Sequence, residues 1–172
     1  SPTMPALHCH CRRPPMPLLR RHGPLLAALQ IAALLLAAAP AVQAQTEAQP
    51  RLDTVTLQAG MHLIRAEVAR TPQQTSTGMM FRREMGANEG MLFVFNDLEP
   101  RCFWMKNTLL PLSIAFIDDD GRITDLADMQ PLSEQNHCSS RAVRFALEMN
   151  QGWFAKRGIK PGFKLKGPPF GT

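Results

Sequence analysis

Residues 54–172 are expected to form a mainly β domain, a small antiparallel β-sandwich or barrel-like fold with two short helices. Two observations predict it: apolar segments are short with turn residues between them, and only two brief stretches read as helix. Residues 45–53 are polar and contain Pro50, which suits a flexible lead-in. Residues 54–57 alternate weakly. Residues 62–69 (HLIRAEVA) alternate clearly, with Arg65 and Glu67 on one side, as a half-buried strand does. Thr71 and Pro72 start a helix as N-cap and first helical residue, Gln74 completes a capping box, and Gly78 ends it. Residues 90–95 are a continuous apolar strand followed by a polar loop at 96–101. Residues 102–108 read as another strand, which Pro111 breaks, and 114–118 as an apolar central one. Asp119-Asp120-Gly121 supplies the hairpin turn to a partner strand at 122–129. A long polar loop at 131–141 leads to a strand at 143–149. A second short helix at 151–157 is closed by Gly158, and a last strand lies at 163–166. A parallel dinucleotide-binding sheet is excluded, because long helices between strands and a glycine-rich phosphate loop are both lacking.

Before this domain, residues 16–44 read as a secretory signal. Arg20, Arg21 and His22 precede the apolar run 25–39, Pro40 breaks it, and Val42 and Ala44 are the small side chains before cleavage. Met16 then serves as the start, with residues 1–15 an N-terminal extension. The apolar run spans about 22 Å as a helix, short of a roughly 30 Å hydrocarbon core, so a cleaved leader is favoured over an anchor. The protein is expected in the periplasm or outside the cell, touching the membrane only through an uncleaved signal. The overall charge of +5 is misleading. Four of the 19 Lys and Arg precede Ala44, leaving 15 basic against 14 acidic side chains on the mature 128 residues. No basic face remains for nucleic-acid binding.

Export also decides which cysteines matter. Cys9 and Cys11 would be removed, leaving Cys102 and Cys138 in an oxidising compartment. A disulfide is the leading reading; two free thiols, or a redox or metal role, remain open. The pair lacks zinc-ligand spacing, and no CxxC is present.

Three segments together resemble one bacterial family: 74–82 (QTSTGMMFR) with 89–93 (EGMLF), 103–108 (FWMKNT) continuing through Pro111 to Asp118, and Ala146-Leu147-Glu148 with Asn150 and Gly152. The chain is similar to the domain-of-unknown-function 192 family across nearly all of residues 61–166. The resemblance implies a small, mainly β, often exported domain. It supplies no activity, cofactor or catalytic residue.

Side chains must therefore carry the functional reading. Alternation through 102–108 would place Phe103, Met105 and Asn107 toward the core, and Trp104, Lys106 and Thr108 outward as a stacking plate, a cation and a hydroxyl. That face, with Arg82, Glu148 and Glu89 nearby, is the candidate ligand site, set against Trp104 covering the core edge while Lys106 reaches solvent. Asn107 would tie the turn before Pro111. Arg82 is expected to ion-pair with Glu89 or Glu148. Glu148, in an apolar strand, would need a cation or a raised pKa if it turned inward, or it faces out. No nucleophile and base pattern surrounds His62, His137 or Cys138, and no GxSxG elbow exists. The methionines fall in apolar runs without MxxM spacing, and the Asp118-Asp119-Asp120 run lacks calcium-loop alternation. No metal or cofactor is implied. The expected function is a monomeric, non-catalytic module of the cell envelope that binds a small ligand or partner. The alternative is a small hydrolase or lyase using Glu148 or Glu89 with Lys106.

Overall fold

The computed structural model describes residues 46–170, so the expected leader and N-terminal extension lie outside the described residues. The elements are β1 (Thr54–Ala59), β2 (His62–Ala69), α1 (Pro72–Thr77), β3 (Glu89–Glu99), β4 (Cys102–Phe103), β5 (Leu112–Ile117), β6 (Ile123–Met129), β7 (His137–Cys138) and β8 (Val143–Asn150). Six strands form one sheet ordered β1-β2-β3-β8-β5-β6, and β4 pairs with β7. The mainly β expectation holds. One pairing departs from the antiparallel pattern: β2 and β3 run parallel, with Arg65 opposite Glu89. The crossover through α1 and residues 78–88 makes this possible, since parallel neighbours need a connection of about a dozen residues or more.

The C-terminal segment joins the two sheet edges. Gln58 on β1 exchanges two 2.9 Å backbone hydrogen bonds with Lys166. On the β6 side, the Leu165 N–H donates to the Gly121 carbonyl at 2.8 Å and the Ile123 N–H to Phe163 at 2.9 Å. The sheet is thereby closed into a barrel-like form by residues 163–166. Gly121 makes the approach possible. Its φ is 88°, and a Cβ there would lie 2.5 Å from the Leu165 carbonyl oxygen. The Asp118 N–H donates to the Arg122 carbonyl at 2.9 Å and closes a three-residue loop, Asp119 to Gly121, one residue longer than a two-residue turn, and the β5–β6 register shifts between Phe116 and Ile117.

Strand alternation sorts the apolar residues into two layers. Leu57, Ile64, Leu92, Ile117, Leu147 and Met149 fill the inner core with Trp153, Phe154 and Leu165. The opposite parity of β3, β8 and β5 (Met91, Phe93, Ala146, Ile114 and Phe116) packs into a second core with Met79, Met105 and Met129. These three strands are buried on both faces, which is why they read as continuous apolar runs.

A covering layer built from residues 78–85 and 100–111 lies over the second core. The Phe81 N–H donates to the Asn107 carbonyl at 2.8 Å, and the Met105 N–H to Ser133 at 2.8 Å. Here the expected strand at 102–108 is corrected. Only Cys102–Phe103 is strand, and the chain turns at Lys106-Asn107, with Asn107 at φ 54°. The partner β7 offers two residues of strand, so beyond it backbone groups are satisfied by a turn, the Thr108 N–H donating to Met105. The cysteines face each other in the β4–β7 register and are joined by a disulfide.

The α1 start follows the sequence reading: Thr71 caps the Gln74 N–H, and Gln74 returns a bond to the Thr71 N–H. The second expected helix is instead a 3-10 turn at Ala155–Arg157, confined between Gly152 (φ 78°) and Gly158 (φ 66°). The lead-in is pinned down, because the Gln49 side chain donates to the Gln74 and Gly78 carbonyls at 3.1 and 2.9 Å. β3 also runs on through residues read as loop, to Glu99.

Because the disulfide spans 36 residues, replacing both cysteines by Ser should lower the unfolding free energy by about 3–4 kcal/mol in the loop-entropy account. Urea denaturation of the double variant against the oxidised protein measures it.

Candidate functional site

Glu148 lies on the middle strand β8, opposite Met91 of β3 on one side and Ile114 of β5 on the other. Its parity is that of Ala146, so the side chain enters the second core, where the residue is 4% exposed. No hydrogen bond or ion pair reaches its carboxyl from the described residues. Burial alone pushes its pKa up to about 8, so the group is largely protonated at neutral pH. Of the two orientations the sequence allowed, the fold selects the inward one and provides no cation.

A cleft of about 400 Å³ opens over this position. It is bounded by the end of α1, by β3 and by the β4 segment, and Phe93, Phe95, Phe103 and Trp104 contribute to its walls. The Phe103 ring meets Phe93 at 4.9 Å and Phe95 at 6.3 Å between centroids, both edge to face. Three buried polar residues line the cleft: Thr77, Thr108 and Glu148. Arg101 is its cationic lining residue. That guanidinium lies 4.0 Å from the Phe95 centroid and is bound by the Asp97 carboxylate at 2.8 Å and by the Asp97 and Val143 carbonyls. The hydroxyls of Thr75, Ser76 and Thr108 each donate to a backbone carbonyl, of Pro72, Gln73 and Lys106 respectively.

The expected site residues divide. Trp104, Thr108 and Glu148 share the cleft, although not through the strand alternation that suggested them. Lys106 sits at the surface with its Nζ 5.1 Å from the Trp104 ring, and it forms no ion pair among the described residues. Arg82 and Glu89 are elsewhere. Arg82 is buried and binds Glu67 at 2.9 Å, not Glu89 or Glu148 as expected. Glu67 also accepts from Arg51 at 2.7 Å and from the Leu52 N–H at 2.8 Å. Burial pushes the Glu67 carboxyl up, but the Leu52 N–H and the two guanidiniums outweigh it and hold the group below its ordinary value. Glu89 belongs to a separate concavity with Arg51 and Arg65, and accepts from the Gly86 N–H at 3.0 Å. The proposed pairing of Lys106 with Glu148 or Glu89 is therefore absent among the described residues.

Sequence reasoning missed Glu67, because clean alternation through β2 put it on the solvent side. The lead-in and Arg82 cover that side. It also missed Phe95 and Arg101, whose roles depend on how the chain leaves β3 and carry no local signal.

Residues 54–167 match the family model DUF192, described as an uncharacterized ACR. The chain belongs to this family. Among crystal structures of similar fold are two bacterial proteins. One is a protein of unknown function from Novosphingobium aromaticivorans DSM 12444, 39% identical over 76% of this chain and 94% of that one, with a TM-score of 0.62. The other is a candidate transcription regulator from Sinorhizobium meliloti 1021, 36% identical over 69% of this chain and 97% of that one, with a TM-score of 0.65. No functionally curated protein matches. In this DUF192 member, no three His, Cys, Asp or Glu side chains among the described residues gather as a metal site. Met79, Met91, Met105 and Met129 are buried as core filling.

Two stability predictions follow from the contrasting carboxyls. Glu148 has its folded pKa raised from 4.5 to about 8, so its contribution is present at low pH and is lost as pH rises between those values. Unfolding free energy should fall across that window by up to about 1.4 kcal/mol per pH unit, and Glu148→Gln should flatten the slope in urea titrations. Glu67→Gln should cost about 3–5 kcal/mol, since it leaves the buried Arg82 without its carboxylate.

Proposed function

We propose that this chain is an exported envelope domain whose cleft holds a small ligand without transforming it. The observation that carries the reading is Glu148: a buried carboxyl with no partner among the described residues, lining an aromatic-walled cleft with Trp104 and Thr108. Buried polar groups are normally satisfied, and one left open toward a cavity is where a ligand completes the bonding. The cleft volume falls within the roughly 300–1,000 Å³ usual for small-molecule sites. Its other charged lining group, Arg101, is committed to Asp97. Glu148 thus has no second acid or base beside it in the lining, and the binding reading is favoured over the hydrolase or lyase alternative. The alternative retains one supporting feature, an acid whose pKa near 8 suits proton donation at neutral pH.

The disulfide supports an oxidising compartment and, with the signal reading of residues 16–44, export to the periplasm or beyond. Cleavage after Ala44 is part of this proposal, as is a monomeric state. One relative is described as a candidate transcription regulator. The near-neutral mature chain weighs against a nucleic-acid role here.

Thermal-shift and NMR screening against envelope sugars, peptides and amino acids tests the reading. A ligand of the cleft should lose about tenfold or more in affinity with Trp104→Ala and only about twofold with Lys106→Ala. Binding unchanged in Trp104→Ala and in Glu148→Gln would place the ligand elsewhere. Turnover of a bound compound, lost in Glu148→Gln, would favour the enzymatic alternative. N-terminal sequencing of exported protein should begin at Gln45.

A further inference from the structure

We propose that the cleft takes an organic ammonium ion, its N–H groups bonding the Glu148 carboxylate and its carbon skeleton lying on the aromatic walls. This rests on the binding reading above and names the ligand class for the same cleft. Three independent features point to it.

The first is charge. Glu148 faces Met91 and Ile114 across the sheet, with Thr77 and Thr108 among the lining residues, so no described cation neutralises it. Of the charged groups nearest the cleft, Arg101 is held by Asp97 and Lys106 lies over the outer Trp104 ring. Without a cation nearby the carboxyl keeps its proton; an ammonium ligand would supply the counter-charge that lets it ionise, whereas an anion would hold it protonated.

The second is hydrogen-bond polarity. The Thr75, Ser76 and Thr108 hydroxyl protons are spent on backbone carbonyls, so these groups offer lone pairs to the cleft. An ammonium brings three donors and needs no acceptor.

The third is the wall. Aromatic faces attract cations, and among the described residues the wall rings of Phe93 and Phe103 carry none, whereas Phe95 and Trp104 already have Arg101 at 4.0 Å and Lys106 at 5.1 Å.

The step balances simply. Below the pKa of Glu148, binding of the cation releases one proton from the carboxyl to solvent, and above it none is released. Titration calorimetry on the disulfide-bonded protein with phenethylamine, phenylacetamide and phenylacetate separates the outcomes. Phenethylamine should bind best, gaining about tenfold in affinity per pH unit between about pH 6 and 8 and levelling off above. Runs in two buffers of different ionisation enthalpy should count about one proton released at pH 6.5. Glu148→Gln should weaken phenethylamine about tenfold or more and abolish its pH slope. The neutral amide binding tightest, with affinity falling above about pH 8, would overturn the ammonium assignment and leave the cleft reading standing. Tightest binding of phenylacetate would do the same and transfer recognition to Arg101. No binding by any of the three would overturn both.

Discussion

Strands β3, β8 and β5 are covered on both faces, and most of what is distinctive in this protein depends on that constraint. A strand buried on one side can place a polar residue in water at every second position. A strand buried on both sides has no such outlet, so a carboxyl on β8 is desolvated whichever way it points. Glu148 stands between Met91 and Ile114 for this reason. The cleft in the covering layer, not the sheet, provides the opening toward it.

Glu67 and Glu148 show that burial alone does not set the charge of a carboxyl. Both are almost fully enclosed. Glu67 receives two guanidiniums and a backbone N–H and is held ionised, while Glu148 receives no partner among the described residues and holds its proton at neutral pH. The first fastens the lead-in and the crossover to β2. The second, by the same physics, is left as an open valence beneath the cleft.

The covering layer is assembled from turns. Its short β4–β7 ladder, closed by the disulfide, ends after two residues, and the chain then satisfies its backbone through the Asn107 and Ser133 carbonyls. That irregular path sets Trp104 at the cleft wall and Met105 in the core. The FWMKNT segment therefore serves two layers at once without keeping strand periodicity.

Several elements were legible in the sequence because their causes are local. The capping box at Thr71 and Gln74, the apolar period of β2, the Asp-Gly turn and the continuous apolar runs of β3 and β5 each follow from backbone chemistry within a few residues. The mainly β class could be read in the same way; the pairing of Cys102 with Cys138 was read instead from the expected export, which would remove Cys9 and Cys11. The candidate site was only half legible. Trp104, Thr108 and Glu148 were named, but their convergence, the diversion of Arg82 to Glu67 and the wall formed by Phe95 and Arg101 were not. Those depend on the parallel β2–β3 crossover and on the layer folded over β8, which bring together segments more than 70 residues apart in the chain. Sequence alone determined the mainly β class and the long apolar strands, because their periodicity is local, but not where strand gives way to turn after Phe103. The tertiary structure alone decided which carboxyl would meet a cation, because charge compensation is a property of neighbours in space.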